Sequence, residues 1–178
     1  MIKGKIALFL LVYSAALVAE PAMTDTSYAA AIEQTYDSHA VGQGENGDWA
    51  FIGRYRNANA ELIGARIRPN VVFMGDSITE FWANQPDFAR DSARVGRGIS
   101  GQSSPQILLR FRTDVINLKP RVVHIMAGTN DIAENTGRET DEEIEGYISN
   151  MVELAQLHGI KVALASIPPA ADFFGVQA

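Results

Sequence analysis

The sequence predicts an α/β domain whose parallel sheet carries helices on both faces. Three observations lead there. Apolar runs at 71–75, 122–127 and 161–167 each end at a glycine- or proline-marked break, as buried parallel strands do. Segments with apolar residues at helical spacing lie between them. The resulting order of strand, short strand, helix, strand, helix, strand needs right-handed crossovers. A length of 178 residues suits one domain with a sizeable core.

The chain opens with the basic segment Met1-Ile2-Lys3-Gly4-Lys5. An apolar run over 6–19 follows, interrupted only by Tyr13 and Ser14, and then small residues. This is the pattern of a signal peptide, expected over residues 1–22, with the domain over 23–178. The run is shorter than the roughly 18–20 residues that span a bilayer, so no stable membrane span is expected after cleavage. Residues 27–36 suit a helix, and the glycine-rich 42–47 a loop. Asp48 is placed to cap a helix that turns Trp49, Ile52, Tyr55 and Ala60 inward and ends near Gly64.

After Pro69-Asn70 comes the first strand, Val71-Val72-Phe73-Met74, running into Gly75-Asp76-Ser77-Ile78-Thr79. Phe81, Trp82 and Phe88 follow amid polar residues. Core or lid packing is the expectation for them, ahead of a substrate pocket. Residues 94–98 form a short strand entering a glycine-rich turn. Ser104 then serves as a helix cap with Pro105 at the first helical position. Leu108, Phe111, Val115 and Leu118 make that helix's apolar stripe, and Pro120 ends it. Val122, Val123, Ile125, Met126 and Ala127 are the second buried strand, leading into Gly128-Thr129-Asn130-Asp131. Thr140-x-x-Glu143 is a capping box. Its helix directs Ile144, Tyr147, Ile148, Met151 and Ala155 one way and stops at Gly159. Residues 161–167 form a third buried strand, broken by Pro168-Pro169.

The net charge is −6, which disfavours nucleic acid and anionic membrane surfaces as partners. With no cysteine, there is neither a disulfide nor a thiolate metal site. The acidic run over 139–145 reads as the solvated first turn of a helix and not as a metal site.

Ser77 stands at the carboxyl end of a buried strand, where open α/β sheets bind ligands. Acyl transfer by a serine needs an exposed hydroxyl, a base and donors for the oxyanion. In a sheet of order 2-1-3-4 the turns after the first and third strands face each other at the switch point. That brings Ser77 opposite Asn130. Gly98, with no Cβ to obstruct a substrate, offers a backbone N–H close by, and the Asn130 amide is a further donor. Asp76 and Asp131 suit loop-holding carboxylates.

Gly75-Asp76-Ser77-Ile78-Thr79, Gly98 within Arg97-Gly98-Ile99-Ser100-Gly101, and Gly128-Thr129-Asn130-Asp131 together resemble the first three blocks of the SGNH (GDSL-type) hydrolases. Among these the chain is most similar to the acetylhydrolase-like esterases, over residues 70–168. The resemblance implies a flavodoxin-like three-layer α/β/α sandwich. It implies Ser77 as nucleophile, with the Ser77 and Gly98 backbone N–H groups and the Asn130 side chain as oxyanion hole. It implies no cofactor and a small acyl-ester substrate, such as an acetylated sugar or lipid.

Two departures stand out. Gly96 occupies a position where the family often has asparagine. The family's fourth block, Asp-x-x-His, supplies the base and its orienting acid, and no Asp-x-x-His occurs in the 178 residues. The expectation is therefore a sandwich incomplete at its C-terminus and an exported esterase crippled as written. Of the three histidines, His124 reads as a buried strand residue, His158 as a helix-end residue and His39 as remote from Ser77. The rival expectation is a non-catalytic acyl- or glycan-binding module on the same scaffold.

Overall fold

The computed structural model describes residues 47–167. Expectations for the signal peptide, the 27–36 helix, the loop before Gly47 and the residues from Pro168 onward lie outside that range. Four parallel strands, β1 (Val71–Gly75), β2 (Arg94–Gly98), β3 (Val122–Met126) and β4 (Lys161–Leu164), form one sheet in the order β2-β1-β3-β4. This is the predicted order, with β1 and β3 adjacent at the switch point. Gly75 is in register with Gly98 on one side and Met126 on the other. The carboxyl ends of the three strands are thereby level.

Side-chain alternation divides the sheet. Val72, Met74, Val123 and Ile125 point to one face and are fully buried. There they meet Ile107, Phe111 and Val115 of the segment around α4 (Ser104–Asp114), and Met151 and Ala155 of α6 (Asp141–Leu157). Phe73 and His124 point to the other face. They pack with Trp82 of α2 (Ser77–Ala83) and Phe88 of α3 (Pro86–Ala89), with ring centroids 4.9–6.3 Å apart. Trp82 and Phe88 are therefore packing residues, as expected. Thr140 and Glu143 form the predicted capping box of α6, and Gly159 closes it at φ +70°.

Several expectations need correction. Asp48 does not cap a helix. Its carboxylate takes the Gly53 N–H at 2.7 Å in a turn, and the helix, α1, runs over Arg56–Gly64. Trp49 and Ile52 are more than a third exposed, Ala60 is exposed, and the residue α1 buries is Asn59. The cap of α4 is Ser103, one residue earlier than expected, because Gln106 three residues on reaches back to the Ser103 N–H (3.1 Å). α4 ends at Asp114, and a 3₁₀ turn over Ile116–Leu118 carries Leu118 into the core. β4 is not buried. Among the described residues it has a single strand neighbour, and Leu164 is 57% exposed.

What the apolar spacing concealed is a polar core. Arg110, on the inner side of α4, has no exposed surface. Its Nη2 donates to Gly75 O and its Nη1 to Arg97 O, each at 2.8 Å, so one guanidinium binds the ends of β1 and β2. Its Nε donates to Gln102 Oε1 (2.5 Å). Asp114, one turn along, supplies the countercharge at 3.0 Å and accepts from Asn59 Nδ2 at 2.7 Å. Asn59 Oδ1 in turn accepts from Arg97 Nε and Nη2 at 2.9 and 2.7 Å. Burial lowers the pKa of both guanidinium groups, and Asp114 opposes that shift.

Removing one partner of a buried ion pair strands the other and typically costs about 3–5 kcal/mol. Arg110→Ala is expected to lose stability on that order, read from urea unfolding at neutral pH. A loss below about 1 kcal/mol would mean that Asp114 is hydrated in the native state.

Candidate active site

Ser77 is the first residue of α2 and sits half-buried just beyond β1. The residue before it makes the turn. Asp76 takes an extended backbone and its Oδ1 accepts the Ile78 N–H at 3.0 Å, capping α2. Asp76 is 1% exposed. Burial pushes its carboxyl up to about 6, the backbone N–H groups around it pull the other way, and the charge of Asp131 adds to the rise.

Asn130 lies in α5 (Thr129–Ile132), the short helix that follows β3, and is buried. Its amide orientation is set on both sides. Oδ1 accepts from Asn135 Nδ2 at 2.8 Å, while Nδ2 donates to Gln102 O at 2.9 Å and to Asp76 Oδ2 at 3.4 Å. The last contact is long for a hydrogen bond. Asp131 holds that loop from behind. Both its oxygens accept the Ser104 N–H, at 2.9 and 3.0 Å, and Oδ1 also accepts the Ser104 hydroxyl.

Gly98 ends β2, level with Gly75. A Cβ there would collide with the Glu80 backbone N and lie 2.6 Å from Asp76 O, so only glycine lets α2 approach the sheet this closely. The Gly98 carbonyl accepts from the Tyr55 hydroxyl. The segment of this exit that reaches Asn130 is three to four residues further on. Gln102 O takes the Asn130 amide, and Gly101, at φ +77°, receives Asn135 Nδ2 at 3.5 Å.

Ser77, Gly98 and Asn130 thus lie on three neighbouring strand exits, and Asp76 precedes the first, lies against the second and contacts the third. Sequence reasoning missed the supports. Glu80 Oε2 holds the Ser100 N–H and hydroxyl at 2.7 and 2.6 Å, which fixes the glycine-rich turn against α2. Gln102 joins Asn130 to Arg110. The one cue in the sequence was spacing: Glu80 is three residues past Ser77, on the same helix. Glu139 also departs from the solvated role expected of the acidic run, since its Oε2 is buried without a hydrogen-bond partner and burial pushes its carboxyl up to about 7. Among the described residues no cluster of His, Asp and Glu has a metal-holding arrangement.

Neither of the two described histidines is placed as a base for Ser77. His124 is mid-strand against Phe73 and Trp82, with its pKa lowered by burial and its Nδ1 buried without a partner. His158 precedes β4, at the amino ends of the strands and on the opposite side of the sheet from Ser77. His39 lies outside the described residues.

The parallel sheet in the order β2-β1-β3-β4 with flanking helices is the flavodoxin-like α/β/α sandwich that the resemblance implied. Residues 73–177 match the GDSL-like lipase/acylhydrolase family, and the chain belongs to that family. It is 52% identical to an acylhydrolase-like protein of Bacteroides fragilis of known structure (TM-score 0.66), over 71% of this chain and 62% of that one. It is 51% identical to a GDSL-like lipase of Bacteroides thetaiotaomicron (TM-score 0.64), over 70% and 62%. A stretch of 78 residues is 37% identical to the lipoprotein YqeF of Bacillus subtilis, covering 42% of this chain and 32% of that protein. The chain therefore spans less than two thirds of the length of each of these relatives.

Gly98→Ala should destabilise the fold by about 1–3 kcal/mol through overpacking against α2, measured by thermal or urea unfolding. An unchanged midpoint would mean that α2 can retreat freely. For Asp76 the folded-state pKa lies above its ordinary 3.8, so its stabilising contribution is complete below that value and is lost as pH rises through about 6. Asp76→Asn, which keeps a cap acceptor, is therefore expected to gain stability relative to the parent between pH 4 and pH 7. A difference that is flat with pH would show that the carboxyl titrates normally.

Proposed function

We propose that the chain is a serine esterase acting on small acyl esters, acetyl groups among them. Ser77 Oγ attacks the acyl carbon, the alcohol leaves, and water cleaves the resulting Ser77 ester to release the acid. The negative oxygen formed at each stage is met by the Ser77 backbone N–H and the Asn130 amide, with a further N–H from the exit of β2. Gly98 is the donor that the family resemblance names. Gly101 competes for that role because its segment is the one in contact with Asn130 and Asn135. The chemistry calls for no cofactor. Nucleic acid is not a partner on this reading, given the acidic balance.

The observation that carries the proposal is the contact of Asp76 with Asn130, which ties the serine turn to the amide across the switch point. Family membership supports the reaction class. The proton of Ser77 needs an acceptor, neither described histidine is placed to take it, and the sequence contains no Asp-x-x-His. A polypeptide of these 178 residues should therefore show only the residual turnover left to binding and the oxyanion donors. The rival reading is an acyl- or glycan-binding module on the same scaffold. Export is proposed from the basic and apolar first 22 residues and from the likeness to a lipoprotein. Among the described residues no helix is long and apolar enough to cross a membrane.

Fluorophosphonate labelling followed by intact-mass measurement tests the nucleophile. The 178-residue polypeptide, extended at its C-terminus by a segment carrying Asp-x-x-His, should label at Ser77 and hydrolyse p-nitrophenyl acetate. In that extended chain Ser77→Ala should abolish both activities, and Asn130→Ala should lower turnover by about 10²–10³. Binding of an acylated sugar without any labelling would establish the module reading instead.

A further inference from the structure

We propose that Asn135 is a positioning residue: its side-chain amide fixes which way round the Asn130 amide sits, so that the nitrogen of Asn130 faces the serine turn as a donor. The proposal rests on the reading of Asn130 as an oxyanion donor and adds a residue outside the three matching blocks.

An asparagine amide can be turned end for end with almost no change of shape, yet the turn exchanges an acceptor for a donor group. At Asn130 that choice decides the chemistry, since an oxyanion needs the nitrogen. The surroundings make the choice. Asn130 Nδ2 faces two acceptors, Gln102 O at 2.9 Å and Asp76 Oδ2 at 3.4 Å, while Oδ1 faces Asn135 Nδ2 at 2.8 Å. Asn135 is settled in the same way. Its Nδ2 faces Asn130 Oδ1 and, at 3.5 Å, Gly101 O, and both are acceptors. Turning Asn135 alone would set its oxygen against both. Turning Asn130 alone would set its oxygen against Gln102 O and Asp76, and nitrogen against nitrogen at Asn135. Turning the two together would still leave each oxygen facing acceptors. One arrangement satisfies all four neighbours, and one amide, that of Asn135, reaches both loops that carry candidate donors.

The backbone is shaped to bring the pair together. After α5 the chain passes through Glu134, which sits at φ +56°. That left-handed conformation is unfavourable for a residue with a Cβ. It sends the Asn135 N–H back to Asn130 O at 3.0 Å. Asn130 and Asn135 are thus joined main chain to main chain and side chain to side chain. A strained residue persists where the surrounding structure requires it, and such residues gather at functional sites. What Glu134 secures is the return of Asn135 to Asn130. Asn130 is buried and Asn135 half-buried, so water is a weak competitor for these bonds.

The test separates orientation from packing. Asn135→Asp keeps the shape and sets a carboxylate against Asn130 Oδ1 and Gly101 O. The Asn130 amide should then turn over, give its nitrogen to that carboxylate and present its oxygen to the serine turn. In NMR of the full chain with labelled asparagine, the Asn130 side-chain amide signals should move to new positions in Asn135→Asp. In Asn135→Ala they should exchange with water faster than in the parent. In the chain extended with Asp-x-x-His, Asn135→Asp should lower kcat for p-nitrophenyl acetate by about 10²-fold, the scale of a misplaced group, with KM unchanged. In an Asn130→Ala background the same substitution should cost nothing further, since no amide is left to turn. The proposal is overturned if the Asn130 signals keep their parental positions in Asn135→Asp, or if that substitution costs as much in the Asn130→Ala background as in the parent. Should the aspartate variant not fold, exchange in Asn135→Ala decides, and an unchanged rate overturns the proposal. Ser77→Ala should leave the NMR response intact, so a failed nucleophile assignment and a failed pairing of Asn130 with Asn135 are read separately.

Discussion

A single buried guanidinium holds the working end of this molecule together. Arg110 donates to the last carbonyl of β1 and to a carbonyl near the end of β2, the strands whose exits carry Ser77 and the glycine-rich turn. A parallel sheet offers no hairpin to keep adjacent strand ends level, since its connections are crossovers. Here a side chain from the crossover helix does that work. Its charge is tolerated because Asp114 lies one turn away and Asn59 links the pair to Arg97. It braces the end of the ladder where Gly75 and Gly98 are level and α2 approaches closely.

The candidate site is then a set of loops braced from beneath. Glu80 fixes the turn after β2, Gln102 connects that turn to both Arg110 and Asn130, and Asp131 anchors the following segment through Ser104. Each of these side chains is polar and largely removed from water, so each has its hydrogen-bond partners supplied by the chain. Preorganisation of this kind is what an oxyanion site requires, since donors that must first reorient contribute less to the transition state. The one loose element is the 3.4 Å contact of Asn130 with Asp76, on the side that faces the serine turn.

The strands and their order were legible because apolar runs and crossover topology leave few alternatives. Val71 to Gly75 and Val122 to Met126 match the expected runs closely, and the capping box at Thr140 and Glu143 marked the last helix directly. The switch-point pairing of the Ser77 and Asn130 loops followed from the order alone. Spacing arguments failed where polar residues form the core. Asn59, Arg97, Arg110 and Asp114 look like surface residues when apolar periodicity is the guide, yet all are buried. The same error placed Trp49 and Ile52 inward on a helix that buries Asn59 instead. Residues 161–167 looked like a buried strand by composition. β4 is exposed because a strand's burial depends on what lies beside it, which composition does not encode.

The register also has a kinetic side. Every strand pair joins residues distant along the chain, Val71 with Arg94 and Val122, and Val122 with Lys161. No two neighbouring strands can meet until an intervening helix has crossed over, so loop closure precedes any reward from pairing. The guanidinium of Arg110 and the carboxylate of Asp114 travel on one such helix and must dehydrate as it docks. Contacts so distant along the chain slow folding relative to folds built from local ones.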